Sequence, residues 1–223
     1  MADASSRART PRLAVLVSGE GTNLQALIDA AASGALGGEV SLVASDRPAA
    51  RGLERARQAG IEALALPPRG FRGRAAYDEA LAAAVAEREP DLVVLAGFMR
   101  ILGAPFLERF AGRILNVHPS LLPKYRGLDT HRRVLEAGDE LHGASVHFVT
   151  AELDAGPLVI QYRLRVRPDD TPATLAERVH VGEHIILPRA AGWFLAGRLR
   201  EEGGRAVLDG RPLDEPVIVE ADS

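Results

Sequence analysis

From Arg12 onward the chain alternates short apolar runs with longer Ala- and Leu-rich segments of helical period, the pattern of βαβ units and a parallel sheet. Strands are predicted over 13–17, 40–44, 63–66, 92–96 and 114–117. The run at 92–96 is apolar at every position, as a strand covered on both faces should be. Helices are predicted over 24–32, about 53–59 and 75–89, each closed by Gly or Pro signals; Leu24, Leu27, Ile28 and Ala31 form one apolar stripe on the first. After His118 the texture changes to a loop at 119–123, a short helix at 130–137 and strands at 145–149 and 158–166. The alternation from Val159 to Leu164 predicts a sheet edge with one wet face. A long helix is predicted over 171–195, with Pro172 in its first turn and Pro188 expected to kink or divide it. In the tail, Gly203-Gly204 and Leu208-Asp209-Gly210-Arg211 predict a turn between two short strands.

These elements imply a doubly wound α/β fold: a mostly parallel sheet with helices on both faces and an antiparallel C-terminal edge. The expected organisation is a flexible tail over 1–10 and a single domain over 11–223. Its two lobes, about 11–110 and 111–223, would meet at a crevice beyond the carboxyl ends of the strands, where open α/β sheets bind ligands.

Composition narrows the function classes. With 47% hydrophobic residues the chain of 223 residues can bury a real core. A formal net charge of −3 argues against a nucleic-acid binder that must neutralise many phosphates, and favours a small-molecule partner. With no cysteine there is no disulfide and no thiolate chemistry. The polar, Arg-rich opening has no signal-peptide core, and no apolar run approaches the roughly 20 residues that span a bilayer, so a cytoplasmic location without membrane contact is expected. The six His residues form no HExxH pattern, and neither His142 with His147 nor His180 with His184, one helical turn apart, has an evident third ligand. No metal is expected.

Three segments carry candidate chemistry. Ser18-Gly19-Glu20-Gly21-Thr22-Asn23 stands between a strand and a helix, where glycines let backbone N–H groups approach an anion. The alternative is a plain tight turn with Thr22 or Asn23 as N-cap. Asn116 and His118, two apart on a strand, project from one face, so a carboxamide and an imidazole would point together into the crevice. Such a pair can stabilise an oxyanion and move a proton; a merely hydrogen-bonded structural His is the alternative. Asp154, in the turn-rich loop over 150–157, could bring a carboxylate to that imidazole or could be an ordinary turn residue.

Taken together, Ser18 through Gln25, Leu95 through Leu102, Asn116 through Pro123, and Gly143 through Pro157 resemble, in order and spacing, the glycinamide ribonucleotide formyltransferases of purine synthesis. The likeness runs from Leu13 to about Gly197. It implies a formyltransferase-like fold and transfer of a formyl group from 10-formyltetrahydrofolate, as cosubstrate, to the amine of phosphoribosylglycinamide. It also implies a monomer or homodimer. Carried over residue by residue, it makes Asn116, His118 and Asp154 the catalytic trio and Gly21, Thr22 and Asn23 the phosphate loop, with Glu183 a substrate-contacting acid. Arg74, Met99, Arg100, Ile101 and Leu102 fall on the folate side, with Asn116 reaching the folate as well. The first lobe would then hold the phosphate and the second the catalytic and folate groups. Without the resemblance, Arg74 reads as a helix-end charge and Glu183 as an exposed helix acid. Asp129 stands where many relatives carry His or Asn, and Arg126 where Pro is common, which touches substrate positioning. The rival readings are a 10-formyltetrahydrofolate hydrolase and a non-catalytic nucleotide-binding module.

Overall fold

A computed structural model describes residues 9–221. The expected tail lies, up to residue 8, outside the described residues. The chain winds through β1 (Arg12–Val17), α1 (Thr22–Ala32), β2 (Glu39–Ser45), α2 (Arg51–Gln58), β3 (Ala63–Ala65), α3 (Arg74–Ala86), β4 (Leu92–Leu95), α4 (Ala104–Arg109) and β5 (Ile114–His118). It continues through α5 (Thr130–Ala137), β6 (Leu141–Phe148), β7 (Leu158–Arg165), α6 (Pro172–Leu195) and four short strands, β8 (Leu199–Glu202), β9 (Arg205–Leu208), β10 (Arg211–Pro212) and β11 (Val217–Glu220). One eight-stranded sheet has the order β11-β7-β6-β5-β4-β1-β2-β3. All its pairs are parallel except β5 with β6 and β6 with β7. The chain order reverses between β1 and β4, so the crevice lies at their carboxyl ends, as the predicted fold class requires.

Strand period divides the core into two layers. Leu13, Val15 and Val17 pack toward α1, α2, α5 and α6, while Ala14 and Leu16 pack toward α3 and α4. Every residue of β4 is buried, which is why its sequence shows no polar alternation. Burying this apolar surface, at roughly 25 cal/mol per Å², is the main term that holds the strand ends in place beneath the crevice.

Three details differ from expectation. β7 is not an edge: β11 pairs parallel to its outer side. Its polar residues are there for partners, because Gln161 Nε2 donates to the Leu122 carbonyl at 2.8 Å and to Ser145 Oγ at 2.9 Å, and Arg163 pairs with Glu220 of β11. Pro188 does not divide α6, which runs unbroken from a Thr171 capping box to Leu195. Packing of the buried Ile186, Leu187, Ala190 and Ala191 on both sides of the proline outweighs the one lost backbone bond. The short helix α4, with Phe106 its only buried residue, carries too little periodicity to be read from sequence. In the tail, turns at Gly203-Gly204 and Asp209-Gly210 do separate short antiparallel strands.

Candidate active site

The first candidate loop leads from β1 into α1. Gly21, not Thr22 or Asn23, is the N-cap residue, and no side chain caps the helix. Its φ of 71° is left-handed, and a Cβ there would lie 2.7 Å from the Gly52 backbone, so only glycine fits. The first-turn N–H groups of α1 therefore have no intrahelical or side-chain acceptor, and they carry the positive end of the helix dipole. Asn23 turns instead to α6, where its Nδ2 donates to Glu183 Oε2 at 2.7 Å. Glu183 is not the exposed acid that the bare sequence suggests: it is 3% exposed. Burial pushes its carboxyl above the usual range, and the Asn23 hydrogen bond works in the opposite direction. His180 Nε2 stands 3.9 Å from the same carboxylate oxygen.

The second cluster forms where β5, β6 and the loop after β6 converge. Asn116 and His118 do share a face, and antiparallel pairing sets Asn116 opposite His147. Asp154 reaches them from its loop, with Oδ2 at 3.4 Å from His118 Nδ1 and Oδ1 at 3.8 Å from His147 Nε2. Two backbone features allow this. Asp154 has φ of 49°, which Asp tolerates better than most residues, and Gly156 passes so close to the Phe148 carbonyl that a Cβ would sit 1.8 Å from it. Asp154 Oδ2 also accepts from the Gly127 N–H at 2.9 Å, which ties its loop to the segment after β5.

The ring orientations follow from local hydrogen bonds. His118 Nε2 lies 2.9 Å from the Tyr125 carbonyl, so that nitrogen carries a proton. Its Nδ1 faces the Asp154 carboxylate at 3.4 Å. His147 has the opposite character. Its Nδ1 donates to the Phe148 carbonyl at 2.8 Å, which leaves Nε2 bare to accept from Asn116 Nδ2 at 3.1 Å. Burial lowers the His147 pKa and keeps it in this neutral form. The Asn116 amide is thereby locked with its second N–H free to donate elsewhere. The sequence marked neither the pairing of His147 with Asn116 nor the Tyr125 carbonyl; the strand register opposite Asn116 is the signal that finds the former.

Four of the remaining predicted residues line two neighbouring cavities beside the trio. Arg100, Ile101 and Leu102 line one with Asn116, His147 and residues 149–154, and Ile101 and Leu102 also line the other, of about 630 Å³, with Arg74. Met99 is 58% and Ile101 54% exposed, whereas Leu102 is buried. The Arg100 guanidinium stacks over the Tyr77 ring, 4.7 Å from its centre. Arg74 is half exposed at the start of α3, 3.6 Å from Asp78. Of the two departures, Arg126 pairs with Glu152 of the Asp154 loop at 2.5 Å, and Asp129 with Arg132 of α5 at 3.2 Å. Among the described residues no group of three or more His, Asp or Glu gathers as a metal site, and no helix is long and apolar enough to cross a membrane.

His131 stands apart from the trio. Its Nδ1 meets His142 Nε2 at 3.0 Å, one ring donating to the bare nitrogen of the other, so both cannot be cationic. Burial pushes both pKa values down to about 4. Both rings are depressed below the unfolded value of 6.5, so the unfolded chain takes up protons first, and this stability is lost as pH falls from about 6.5 toward 4. Urea midpoints should therefore fall more steeply between pH 7 and 5 in the unaltered chain than in His142→Gln. Equal slopes would refute the assignment.

The formyl transferase family model matches residues 11–191, a span that includes every residue of the two clusters. The chain is 51% identical to the phosphoribosylglycinamide formyltransferase of Escherichia coli over 201 residues, 90% of this chain and 95% of that one. Among solved structures, the phosphoribosylglycinamide formyltransferase of Coxiella burnetii superposes with a TM-score of 0.89 at 48% identity, covering 94% of this chain and all of that one. A formyltetrahydrofolate deformylase from Burkholderia mallei has the same fold at lower identity, 28% with a TM-score of 0.81, and this chain covers 70% of it. The fold, the cleft and these likenesses agree, and the chain belongs to the formyl transferase family.

Proposed function

We propose that this enzyme transfers the formyl group of 10-formyltetrahydrofolate to the amine of phosphoribosylglycinamide, a step of purine synthesis. The observation that carries the reading is the meeting of Asn116, His118 and Asp154 beside the cleft that Arg100, Ile101 and Leu102 line. The ribonucleotide phosphate docks on the first-turn N–H groups of α1 at Gly21, Thr22 and Asn23. Glu183, held by Asn23, receives the glycinamide end. The folate lies along Met99 to Leu102, with its tail toward Arg74.

Holding both reactants at attack distance removes much of the entropic barrier. The neutral amine attacks the formyl carbon, and the carbonyl π electrons move to oxygen. The free Asn116 N–H and the Nδ1–H of cationic His118 donate to that oxygen, while Asp154 stabilises the imidazolium and fixes its ring. The 3.4 Å gap between His118 Nδ1 and Asp154 leaves the N–H loosely held, available to a better acceptor. On collapse the C–N10 bond breaks, the attacking nitrogen loses one proton and N10 gains one, with His118 or a relayed water as carrier. No metal enters these steps.

Formyl transfer should be assayed with purified protein, with and without phosphoribosylglycinamide. The expected result is tetrahydrofolate release that depends on the ribonucleotide and matches formylated product one for one. Release at the same rate without it identifies a hydrolase, as for the deformylase of the same fold, and no release in either arm leaves a binding module.

A further inference from the structure

The segment between β4 and α4, residues 97–103, presents the folate-side residues, yet it has no regular structure of its own. What holds it is buried and polar. Ser18, 2% exposed at the end of β1, donates its N–H to the Gly97 carbonyl at 3.1 Å. Its hydroxyl accepts from the Met99 N–H at 2.9 Å and donates to Asp46 Oδ1 at 2.6 Å. At the other end of the segment, Gly103 N–H donates to Asp78 Oδ2 at 2.8 Å. Ser18 is also the residue from which the phosphate loop departs, and that loop is fastened in turn by Gly52 N–H to the Gly19 carbonyl at 3.0 Å.

One side chain therefore joins the two substrate loops. We infer that Ser18, oriented by Asp46, is a positioning residue that sets the folate-side segment and couples folate affinity to occupancy of the phosphate loop. The inference rests on the proposed function for the identity of the two ligands. The hydroxyl has one proton. The hydroxyl donates it to the Asp46 carboxylate, which leaves the Ser18 oxygen as an acceptor for the Met99 N–H, so the carboxylate decides which way the hydroxyl points. A ligand that orders residues 18–23 then also orders the Met99 backbone, and linkage requires the effect to run equally in both directions.

The test uses tetrahydrofolate titrations of the full chain with and without saturating phosphoribosylglycinamide, beside steady-state kinetics. In the unaltered chain the ribonucleotide should tighten tetrahydrofolate about fivefold or more. In Ser18→Ala the KM for 10-formyltetrahydrofolate should rise roughly fivefold to tenfold, with kcat changed far less. The ribonucleotide effect on tetrahydrofolate should shrink toward one in that variant. A residue that only supports the fold would lower the melting temperature and leave the ratio intact. Should Ser18→Ala fail to fold, Asp46 decides: Asp46→Asn keeps an oxygen for the hydroxyl and should recover most of what Asp46→Ala loses. Equal behaviour of the two Asp46 variants overturns the inference, as does an unchanged ratio in Ser18→Ala or a ratio of one in the unaltered chain. An unaltered chain that binds tetrahydrofolate with this coupling but transfers no formyl group defeats the proposed function alone.

Discussion

His118→Ala should lower kcat for formyl transfer by about three orders of magnitude, with KM for either substrate changed only a few-fold. The ring supplies both a charged donor to the developing oxyanion and a proton carrier, and neither role is needed to bind the ground state. The substitution also removes the hydrogen bond to the Tyr125 carbonyl. Single-turnover rates with saturating substrates measure the effect. Turnover within tenfold of the unaltered chain would show that the imidazole is not at the reacting centre.

Asp154→Asn should reduce kcat by about a hundredfold while leaving the folate KM nearly constant. The amide keeps an oxygen for the Gly127 N–H, so the loop stays where it is and the lost charge beside His118 is isolated as the cause. A carboxylate facing a protonated ring contributes most when that ring also carries the charge of the transition state. A raised KM with unchanged kcat would instead make Asp154 a loop residue, and unchanged turnover would remove it from the mechanism. Placing Asn in the double variant with His118→Ala should add little, since the two side chains act as one unit.

Much of this was legible in the chain. The five strands from β1 to β5 and the first three helices between them follow from apolar runs and helical periods, because burial on one or two faces writes itself directly into local composition. The shared face of Asn116 and His118 follows from the period of a strand. Other features were hidden for identifiable reasons. Gln161 looked like part of a wet face because a buried, hydrogen-bonded polar side chain has the same one-letter identity as a solvated one, and Arg163, partly exposed, is covered by its ion pair with Glu220. β11, half exposed along its length, has too short an apolar pattern to announce its pairing with β7.

By itself, then, the sequence determined the winding of the sheet, the place of the glycine loop between β1 and α1 and the pairing of an amide with an imidazole on one strand, all of which depend on residues near one another in the chain. Tertiary structure alone decided the hydrogen-bond partners of His118 and His147, the burial of Glu183 and the arrival of Asp154. Each of these depends on an acceptor or a low-dielectric wall supplied by a distant segment: the Tyr125 carbonyl, the Asn116 amide, the packing of α6 against α1. A main-chain carbonyl has no side-chain signature, and the energy of a buried charge is set by its surroundings, so neither can be read until the chain has closed around them.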